Sequence, residues 1–213
     1  MVESLQMQTS LEKITRSIPI PNTKIAGIQL SNILHTDAMR ILSYCQNPLI
    51  TDTTLIPVPY STRDLEDYYD NLAQIYAMSS TCLLWAIRDT NIPDKFGIGR
   101  YIGSVGLHPP KHQNEMWKNN SLAAHSQFHV LGYYIDPNYW GKSIMSNAVQ
   151  VLLNDIAKKE LKLQRVRSEA FDGNMASHAV LKKAGFVNAG HVKDKYEKQG
   201  KKISSTHYEL VYS

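Results

Sequence analysis

The chain has 213 residues, 43% of them hydrophobic and 20% charged, and it carries a formal net charge of +4. This composition is ordinary for a soluble globular protein with one core, and no apolar run approaches the ~18 residues of a membrane-spanning helix. The first residues have early acids and no apolar centre, which is not typical of a signal peptide. Cys45 and Cys82 show no disulfide pattern, so we expect a cytoplasmic protein.

The first half of the chain contains predicted strands and helices but no functional motif. Residues 1–22 have no clear pattern and are expected to form an N-terminal arm, disordered or ordered, ahead of a single domain over 23–213. Alternating and β-branched stretches predict strands over 24–33, 81–89 and 100–108, and capped amphipathic stretches predict helices over 36–47 and 61–78. Residues 109–126 form a long polar connection, a length that is often functional or disordered.

A strand, a loop and a helix follow between residues 128 and 156. Aromatic and branched residues predict a strand over 128–135, which Pro137 ends. One apolar helical stripe then follows, formed by Met145, Val149, Leu152, Leu153 and Ile156. Gly141 allows close backbone approach, and the free N–H groups at a helix start bind anions. The segment therefore predicts a phosphate-binding loop around Gly141-Lys142-Ser143.

Two kinds of phosphate ligand fit such a loop. The nucleoside-triphosphate pattern G-x-x-x-x-G-K-[ST] matches at Gly141-Lys142-Ser143, but Asp136 stands where its first glycine belongs. Pro137 also removes a backbone donor. The alternative is the pyrophosphate of coenzyme A, and a turn with a capping serine would account for the same residues without a ligand.

The second segment that matters is AFDGNMASHAVLKKAGF, residues 170–186. Together with Asn138 to Ser143, it resembles the GNAT superfamily of acyl-CoA-dependent N-acyltransferases, whose loop pattern is [QR]-x-x-G-x-[GA]. The middle glycine is kept, while Asn138 and Ser143 depart from the pattern. The sequences of these two segments are similar to those of the branch that includes ribosomal-protein-alanine and spermidine acetyltransferases.

The resemblance implies a single-domain α/β fold. It consists of a mixed sheet with antiparallel N-terminal strands, a splayed parallel central pair and flanking helices. The parallel pair would be 128–135 and 163–171, because a helix crosses between them. A hairpin over 186–196 and 201–212 would close the sheet.

The resemblance also implies where acetyl-CoA, the co-substrate, would bind. Pantetheine would pair with the splayed strand edge, the pyrophosphate would sit on the helix start, and Asn174, also a preferred helix cap, would bond near the pantetheine. The cofactor-binding residues are then Tyr133, Tyr134, Ile135, Gly141, Lys142, Ser143, Ile144, Met145, Ser146 and Asn174.

The catalytic groups are less clearly indicated. Many GNAT members place a tyrosine at the position of Leu181, so the usual acid is absent. Ser177 is a candidate near the thiol or a plain helix serine, and Glu169 is a candidate base or a residue on the solvent-exposed face of its strand. His129 and a water relay are further alternatives. The His108/His112 and His125/His129 pairs have metal-like spacing, but nothing completes a site and no metal is expected.

The expected partner is a small-molecule amine or a protein N-terminal amine, with no nucleic acid and no membrane. The lysines at 193, 195, 198, 201 and 202 are interpreted as a solvated hairpin rather than a nucleic-acid patch. Asp64, Glu66 and Asp67 either attract the amine or simply favour a helix start. The chain is expected to be a monomer or homodimer. The rival hypothesis is a GNAT-like fold that binds acyl-CoA without turnover, as a sensor or interaction module.

Overall fold

The computed structural model describes residues 15–78, 82–94, 97–109 and 128–212. Over these ranges one sheet of eight strands has helices packed on both faces. The strands are β1 (Ser17–Pro19), β2 (Ile28–Asn32), β3 (Leu84–Asp89), β4 (Arg100–His108), β5 (His129–Ile135), β6 (Arg165–Phe171), β7 (Val187–Lys198) and β8 (Lys201–Val211). The helices are α1 (Ala38–Cys45), α2 (Pro48–Thr51), α3 (Thr62–Met78), α4 (Ile144–Val151) and α5 (Met175–Lys183).

The strand order across the sheet is β1-β2-β3-β4-β5-β6-β8-β7. Every neighbouring pair is antiparallel except β5 and β6, which are parallel because the chain crosses over through α4 between them. The predicted α/β fold, with antiparallel N-terminal strands and one parallel central pair, is confirmed. Within the described residues, no helix is long and apolar enough to span a membrane.

The predicted apolar stripe after the phosphate loop forms the inner face of α4 and its continuation. All five stripe residues are at least nine-tenths buried, against Leu131 and Val166 of the sheet. From Leu152 to Glu160 the helix widens to π geometry. Full burial of one such aliphatic side chain stabilises the fold by about 1.5–3 kcal/mol, so this stripe anchors the helix that carries the loop.

A second layer, α1 to α3, covers the opposite face of the sheet. Leu72 and Ile75 of α3 are buried against Leu84 and Tyr101. Helix α3 begins as predicted after Ser61, whose hydroxyl accepts a hydrogen bond from the Asp64 N–H at 3.3 Å. The sheet is therefore buried on both faces, and a ligand can reach its centre only where two strands separate.

Several predicted boundaries shift in the structure. β1 lies within the segment assigned to the arm, and it pairs with β2, so residues 17–19 form the outer edge of the sheet. Residues 1–14 lie outside the described residues, as does the 109–126 connection apart from Pro109. The predicted C-terminal hairpin is present. Its turn residues Gln199 and Gly200 both have positive φ, 52° and 71°, which matches the twist of paired strands.

Candidate active site

The parallel strands β5 and β6 separate after a short contact. They pair only at His129–Val166 and Val130–Arg167. Beyond that point β5 stays beside β4 as far as Ile135, and β6 stays beside β8 as far as Phe171. The gap between them, called the fork below, is the splay that the family resemblance implies.

Alternation along β5 decides which backbone groups face the fork. The Asp136 N–H donates to the Ile102 carbonyl of β4 at 2.8 Å, so even-numbered residues of β5 turn their backbone groups to β4. The backbone groups of Tyr133 and Ile135 therefore face the fork. The backbone groups of Tyr134 face β4. Its side chain lies on the face of the sheet that α1 and α3 cover.

Two carbonyl groups at the fork already accept hydrogen bonds from side chains. Ser168 Oγ donates to the Leu131 carbonyl at 3.0 Å, and Trp140 Nε1 donates to the Ile135 carbonyl at 3.2 Å. The Trp140 side chain is half exposed. The edge that remains open to a ligand is centred on Tyr133.

The loop after β5 presents a row of N–H groups. The first backbone hydrogen bond of α4 is donated by Asn147 to the Ser143 carbonyl, and in the described parts of the chain no acceptor takes the N–H groups of 141–146. A Cβ added to Gly141 would meet nothing within 4 Å. The Ser143 side chain makes no capping bond, which removes the interpretation of this residue as a cap. The geometry is that of an anion-binding site at a helix start.

Gly141 and Ser143 both have left-handed backbone conformations, with φ of 71° and 62°. Glycine adopts this region without strain, whereas a residue with a Cβ does so at a cost. The Lys142 ammonium bonds the Asn138 carbonyl at 2.7 Å and lies over the ring of Tyr139. What Lys142 offers a ligand in this arrangement is its backbone N–H.

Asn174 joins the start of α5 to the segment after α2. Its Oδ1 accepts the Ser177 N–H at 3.0 Å, which is the capping role, and its Nδ2 donates to the Thr53 carbonyl at 3.2 Å. A pantetheine amide that bonds to the Nδ2 group must therefore compete with Thr53.

Ser177 and Tyr133 form a hydrogen-bonded pair beside the fork. The two hydroxyl oxygens are 2.8 Å apart, and burial raises the pKa of Tyr133 above its ordinary value. The phenol therefore stays protonated at neutral pH. Leu181, where many family members place a tyrosine, is fully buried in the core.

Glu169 lies in a buried polar cluster with residues of the C-terminal hairpin. Its Oε2 accepts hydrogen bonds from Lys195 Nζ at 2.9 Å and Tyr196 Oη at 2.8 Å. Its Oε1 is buried and has no hydrogen-bond donor in the ranges described, and the side chain is 5% exposed. Glu169 is therefore not on a solvent-exposed face, and one of its carboxylate oxygens lacks a hydrogen-bond donor.

His207 lies next to this cluster and is held neutral. Lys195 Nζ is 2.8 Å from His207 Nε2, and the Nε2 atom is 3.7 Å from Glu169 Oε1, too far for a hydrogen bond. Burial, followed by the charge of Lys195, lowers the pKa of His207 below its ordinary value. A neutral imidazole whose Nε2 accepts from Lys195 does not neutralise Glu169.

The hairpin lysines are not uniformly solvated, contrary to the prediction. Lys195 is mostly buried, and Lys198 Nζ donates to the carbonyls of Thr51, Thr54 and Ile56. The segment 51–56 is thus bonded to β7 on one side and to Asn174 on the other. Of the acidic residues at the start of α3, Asp64 is engaged by Ser61, which accounts for it without a ligand.

One cavity of about 410 Å³ connects these groups. It opens at the fork and extends between the sheet and the layer of α1 to α3. Predicted site residues that line it are Tyr133, Tyr134, Glu169, Asn174 and Ser177. The loop residues 141–146 lie outside its lining, at the end of β5. His129 sits where the fork is closed, opposite Val166, and does not line the cavity.

Comparison with known proteins decides the family. The sequence profile of the acetyltransferase (GNAT) domain matches residues 28–187, which is more than half of the chain. The chain belongs to the GNAT acetyltransferase family. Membership confirms the resemblance, the acyltransferase class and acetyl-CoA as the co-substrate of the family.

Individual relatives of this GNAT chain are more distant. A 60-residue stretch is 42% identical to the Bacillus subtilis (strain 168) protein called "Probable N-acetyltransferase YjcK", and spans 28% of this chain and 33% of that relative. A ribosomal-protein-S5-alanine acetyltransferase from Vibrio fischeri superposes with a TM-score of 0.65, at 22% identity over 88% of this chain and 94% of that one.

A spermidine N-acetyltransferase from Vibrio cholerae, solved with CoA and spermine, superposes with a TM-score of 0.65. Its identity is 16% over 87% of this chain and 95% of that one. At these identities the two structures establish the GNAT fold, and the acceptor is a separate question.

Sequence reasoning missed three contributors to this GNAT site. It used only the backbone of Tyr133, although alternation along β5 places that phenol on the side of α5. It did not find Lys195 and Tyr196 as partners of Glu169. Lys195 lies within an irregular stretch of β7 between Val192 and Tyr196, and Tyr196 ends it; no local pattern indicates the register of this stretch.

Proposed function

We propose that this protein transfers the acetyl group of acetyl-CoA to a primary amine by direct attack on the thioester. The observation that carries the proposal is the cavity that joins the open edge at Tyr133 with Ser177 and Glu169. Reaction between two bound molecules needs both to be held in register, and a fork between strands offers such a position.

The donor would bind along β5. Its diphosphate would rest on the N–H groups of Gly141, Lys142, Ser143, Ile144, Met145 and Ser146, which have no acceptor among the residues described. Its pantetheine amides would pair with Tyr133 and the N–H of Ile135, in the manner of an added strand. Tyr134 would line the acceptor side, and Asn174 would exchange its bond with Thr53 for one to the pantetheine.

The acceptor nitrogen would meet Glu169 Oε1. The amine must be neutral to attack, and the nearby Lys195 ammonium, 2.9 Å from the other carboxylate oxygen, disfavours a second positive charge there. Glu169 would then accept a hydrogen bond from the amine, orient its lone pair and receive the proton that the nitrogen loses.

The attack forms a C–N bond and a tetrahedral oxyanion. Collapse of that intermediate breaks the C–S bond and releases the thiolate of coenzyme A. Ser177 would supply the proton to sulfur and regain one from Tyr133, whose phenol is 2.8 Å away. The products are an N-acetyl amine and coenzyme A. Glu169 then gives its proton to solvent, and Tyr133 takes one proton back from solvent, so both residues return to their starting states.

The surroundings of Leu181 and Thr53 favour a second candidate function. The usual tyrosine acid is replaced by a buried leucine, and the Asn174 amide is occupied by the Thr53 carbonyl. A protein with these features could bind acyl-CoA as a sensor or interaction module without turnover. The acceptor, small amine or protein N-terminus, the cytoplasmic location and the monomeric or dimeric state also stay predictions.

Release of the coenzyme A thiol in the presence of acetyl-CoA and an amine panel tests the proposal. We expect amine-dependent release, together with protection from thermal unfolding by coenzyme A. ATP with magnesium is the control and should give no protection. Protection without release with any amine would favour the binding module instead.

A further inference from the structure

The cavity continues beyond the fork, on the face of the sheet covered by α1 and α3. Side chains of Ser104, His108 and Tyr134 point to this side. Ile41 of α1 lies opposite them. A molecule whose nitrogen is at Glu169 would place its remaining atoms in this part, called the inner cavity below.

The inner cavity offers one negative charge. Among the described residues that line the whole cavity, Glu169 is the single carboxylate, and no lysine or arginine is present. Its Oε2 is already bonded to Lys195 and Tyr196, so only Oε1 remains. One amine nitrogen can be satisfied there, and a second cation would find no counter-charge.

Three phenols and one thiol of the lining are neutral. Burial raises the pKa of the Tyr60, Tyr68 and Tyr134 phenols, and burial raises the pKa of the Cys45 thiol to about 11. The Tyr134 hydroxyl is 2.8 Å from that of Tyr101, and the Tyr60 hydroxyl donates to the Asp64 carbonyl. The three tyrosines therefore present ring surface to the cavity, and Cys45 presents a neutral thiol.

The segment that closes the cavity on its outer side is fastened at several points. The carbonyls of Thr54 and Ile56 accept hydrogen bonds from Lys198 at 2.9 and 2.6 Å, and these bonds do not depend on the one between Thr53 and Asn174 that the pantetheine would replace. A polypeptide that continued outward past this segment would have to break these bonds. A compact acceptor would not.

We infer that the acceptor is a small monoamine with an uncharged apolar or aromatic body, rather than a polyamine or a protein N-terminus. The inference rests on the proposed function and specifies its substrate. The amine would bond to Glu169 Oε1, and its body would contact Ile41 and the rings of Tyr60, Tyr68 and Tyr134. A second ammonium group would lose its hydration against these rings without an ion partner, which is strongly unfavourable.

The test compares two acceptors with the same five-carbon chain. Pentylamine and 1,5-diaminopentane differ by one terminal ammonium group, so the ratio of their kcat/KM values measures its cost. We expect pentylamine to be better by about tenfold or more in the thiol-release assay, and better than a short peptide with an N-terminal alanine. A smaller ratio, or a peptide that reacts as well, overturns the inference and leaves the proposed function standing. Release with none of these amines overturns the proposed function itself.

Two variants locate the amine body. A Cβ on Gly132 would lie 3.2 Å from His108 Nε2, so Gly132→Ala narrows the inner cavity without altering the fork-facing edge of β5. Ile41→Val widens it by one methyl group. We expect Gly132→Ala to shift preference towards propylamine and Ile41→Val towards heptylamine, with the KM for acetyl-CoA unchanged. If both folded variants keep the wild-type length preference, the amine body does not occupy this cavity and the inference is wrong.

Discussion

The hydroxyl oxygen of Ser177 lies 2.8 Å from the phenol oxygen of Tyr133, so one hydrogen bond joins the start of α5 to the open edge of β5. Both residues line the cavity at the fork. The pKa of Tyr133 is raised by burial, which keeps its proton available at neutral pH. Since Leu181 replaces the tyrosine that many family members have, this pair is our candidate for the proton source of the leaving thiolate.

Removal of the Tyr133 hydroxyl should slow acetyl transfer without weakening the binding of acetyl-CoA. In Tyr133→Phe the backbone groups at the fork remain, so we expect kcat to fall about tenfold or more while the KM for acetyl-CoA changes by less than about twofold. Ser177→Ala should give a similar fall in kcat. Steady-state thiol release with a saturating amine provides both constants.

The matched control for this pair is Tyr212→Phe. The Tyr212 hydroxyl donates to the Leu153 carbonyl at 2.9 Å, away from the cavity. Its loss should lower stability by about 1 kcal/mol and leave kcat as in the wild type. Equal kcat values for Tyr133→Phe and the control would show that the phenol takes no part in transfer.

Neutralisation of Glu169 should lower the reactivity with the amine and leave the binding of acetyl-CoA unchanged. Glutamine keeps the shape and an oxygen for Lys195 and Tyr196, but it removes the negative charge that receives the amine proton. We therefore expect Glu169→Gln to lower kcat/KM for the amine by about a hundredfold, within the range of general-base effects. The KM for acetyl-CoA should stay near its wild-type value.

Glu209→Gln separates this effect from the loss of an ion pair. Glu209, on the neighbouring strand β8, bonds Arg165 at 3.0 Å and Arg167 at 2.9 Å and does not line the cavity. Both variants lose a partly buried pair with cations, so both should lose stability in urea unfolding. If Glu209→Gln depresses amine turnover as much as Glu169→Gln, the role of Glu169 is structural.

The parts of this site that sequence predicts are those with local signals. The parallel pairing of β5 and β6 follows from the order strand, helix, strand, and the loop follows from Gly141 ahead of an apolar stripe, because periodicity and turn chemistry act over a few residues. The separation of that pair into a fork is expected only from the family resemblance. The setting of Glu169 is different. Lys195 and Tyr196 reach it from another strand, past a register shift near Asp194, whose φ is 52°. Such a shift depends on how the whole hairpin packs, and no local pattern contains it.

The phosphate loop should respond in opposite ways at its two left-handed residues. Gly141→Ala places a Cβ where the structure has open space, so the loss of stability should come from backbone strain alone, about 1–2 kcal/mol. The same Cβ would occupy the space beside the N–H row, and we expect a weaker affinity for coenzyme A by about tenfold or more. Isothermal titration gives the affinity and urea unfolding gives the stability.

Ser143→Gly provides the counterpart. Ser143 has a φ of 62° and no capping bond, so glycine relieves strain and removes no contact that the helix uses. We expect stability to rise by up to about 1 kcal/mol, with coenzyme A affinity within about twofold of wild type. If glycine at 143 abolishes coenzyme A binding, the ligand depends on the serine hydroxyl and not on the N–H row.

His207 should make the fold sensitive to mild acid. Its folded-state pKa is lowered from the ordinary 6.5 by burial and by the charge of Lys195, with smaller opposing help from Glu169. Between the lowered value and 6.5 the unfolded chain binds more protons than the folded one, so the free energy of unfolding rises with pH across this window. The contribution of His207 to the free energy of unfolding is therefore lost as pH falls below 6.5, with a slope of at most about 1.4 kcal/mol per pH unit.

Urea unfolding between about pH 5 and pH 7.5 measures that slope. Burial also lowers the pKa of His129, which therefore adds a slope of the same sign. His207→Gln and His129→Gln should each reduce the slope, and the double variant should reduce it further. A double variant that keeps the full wild-type slope in this window would show that neither imidazole is held neutral, and His207 would then carry a charge beside Glu169. Oε1 of Glu169 would in that case be paired with an imidazolium, and the amine would have to attack without it.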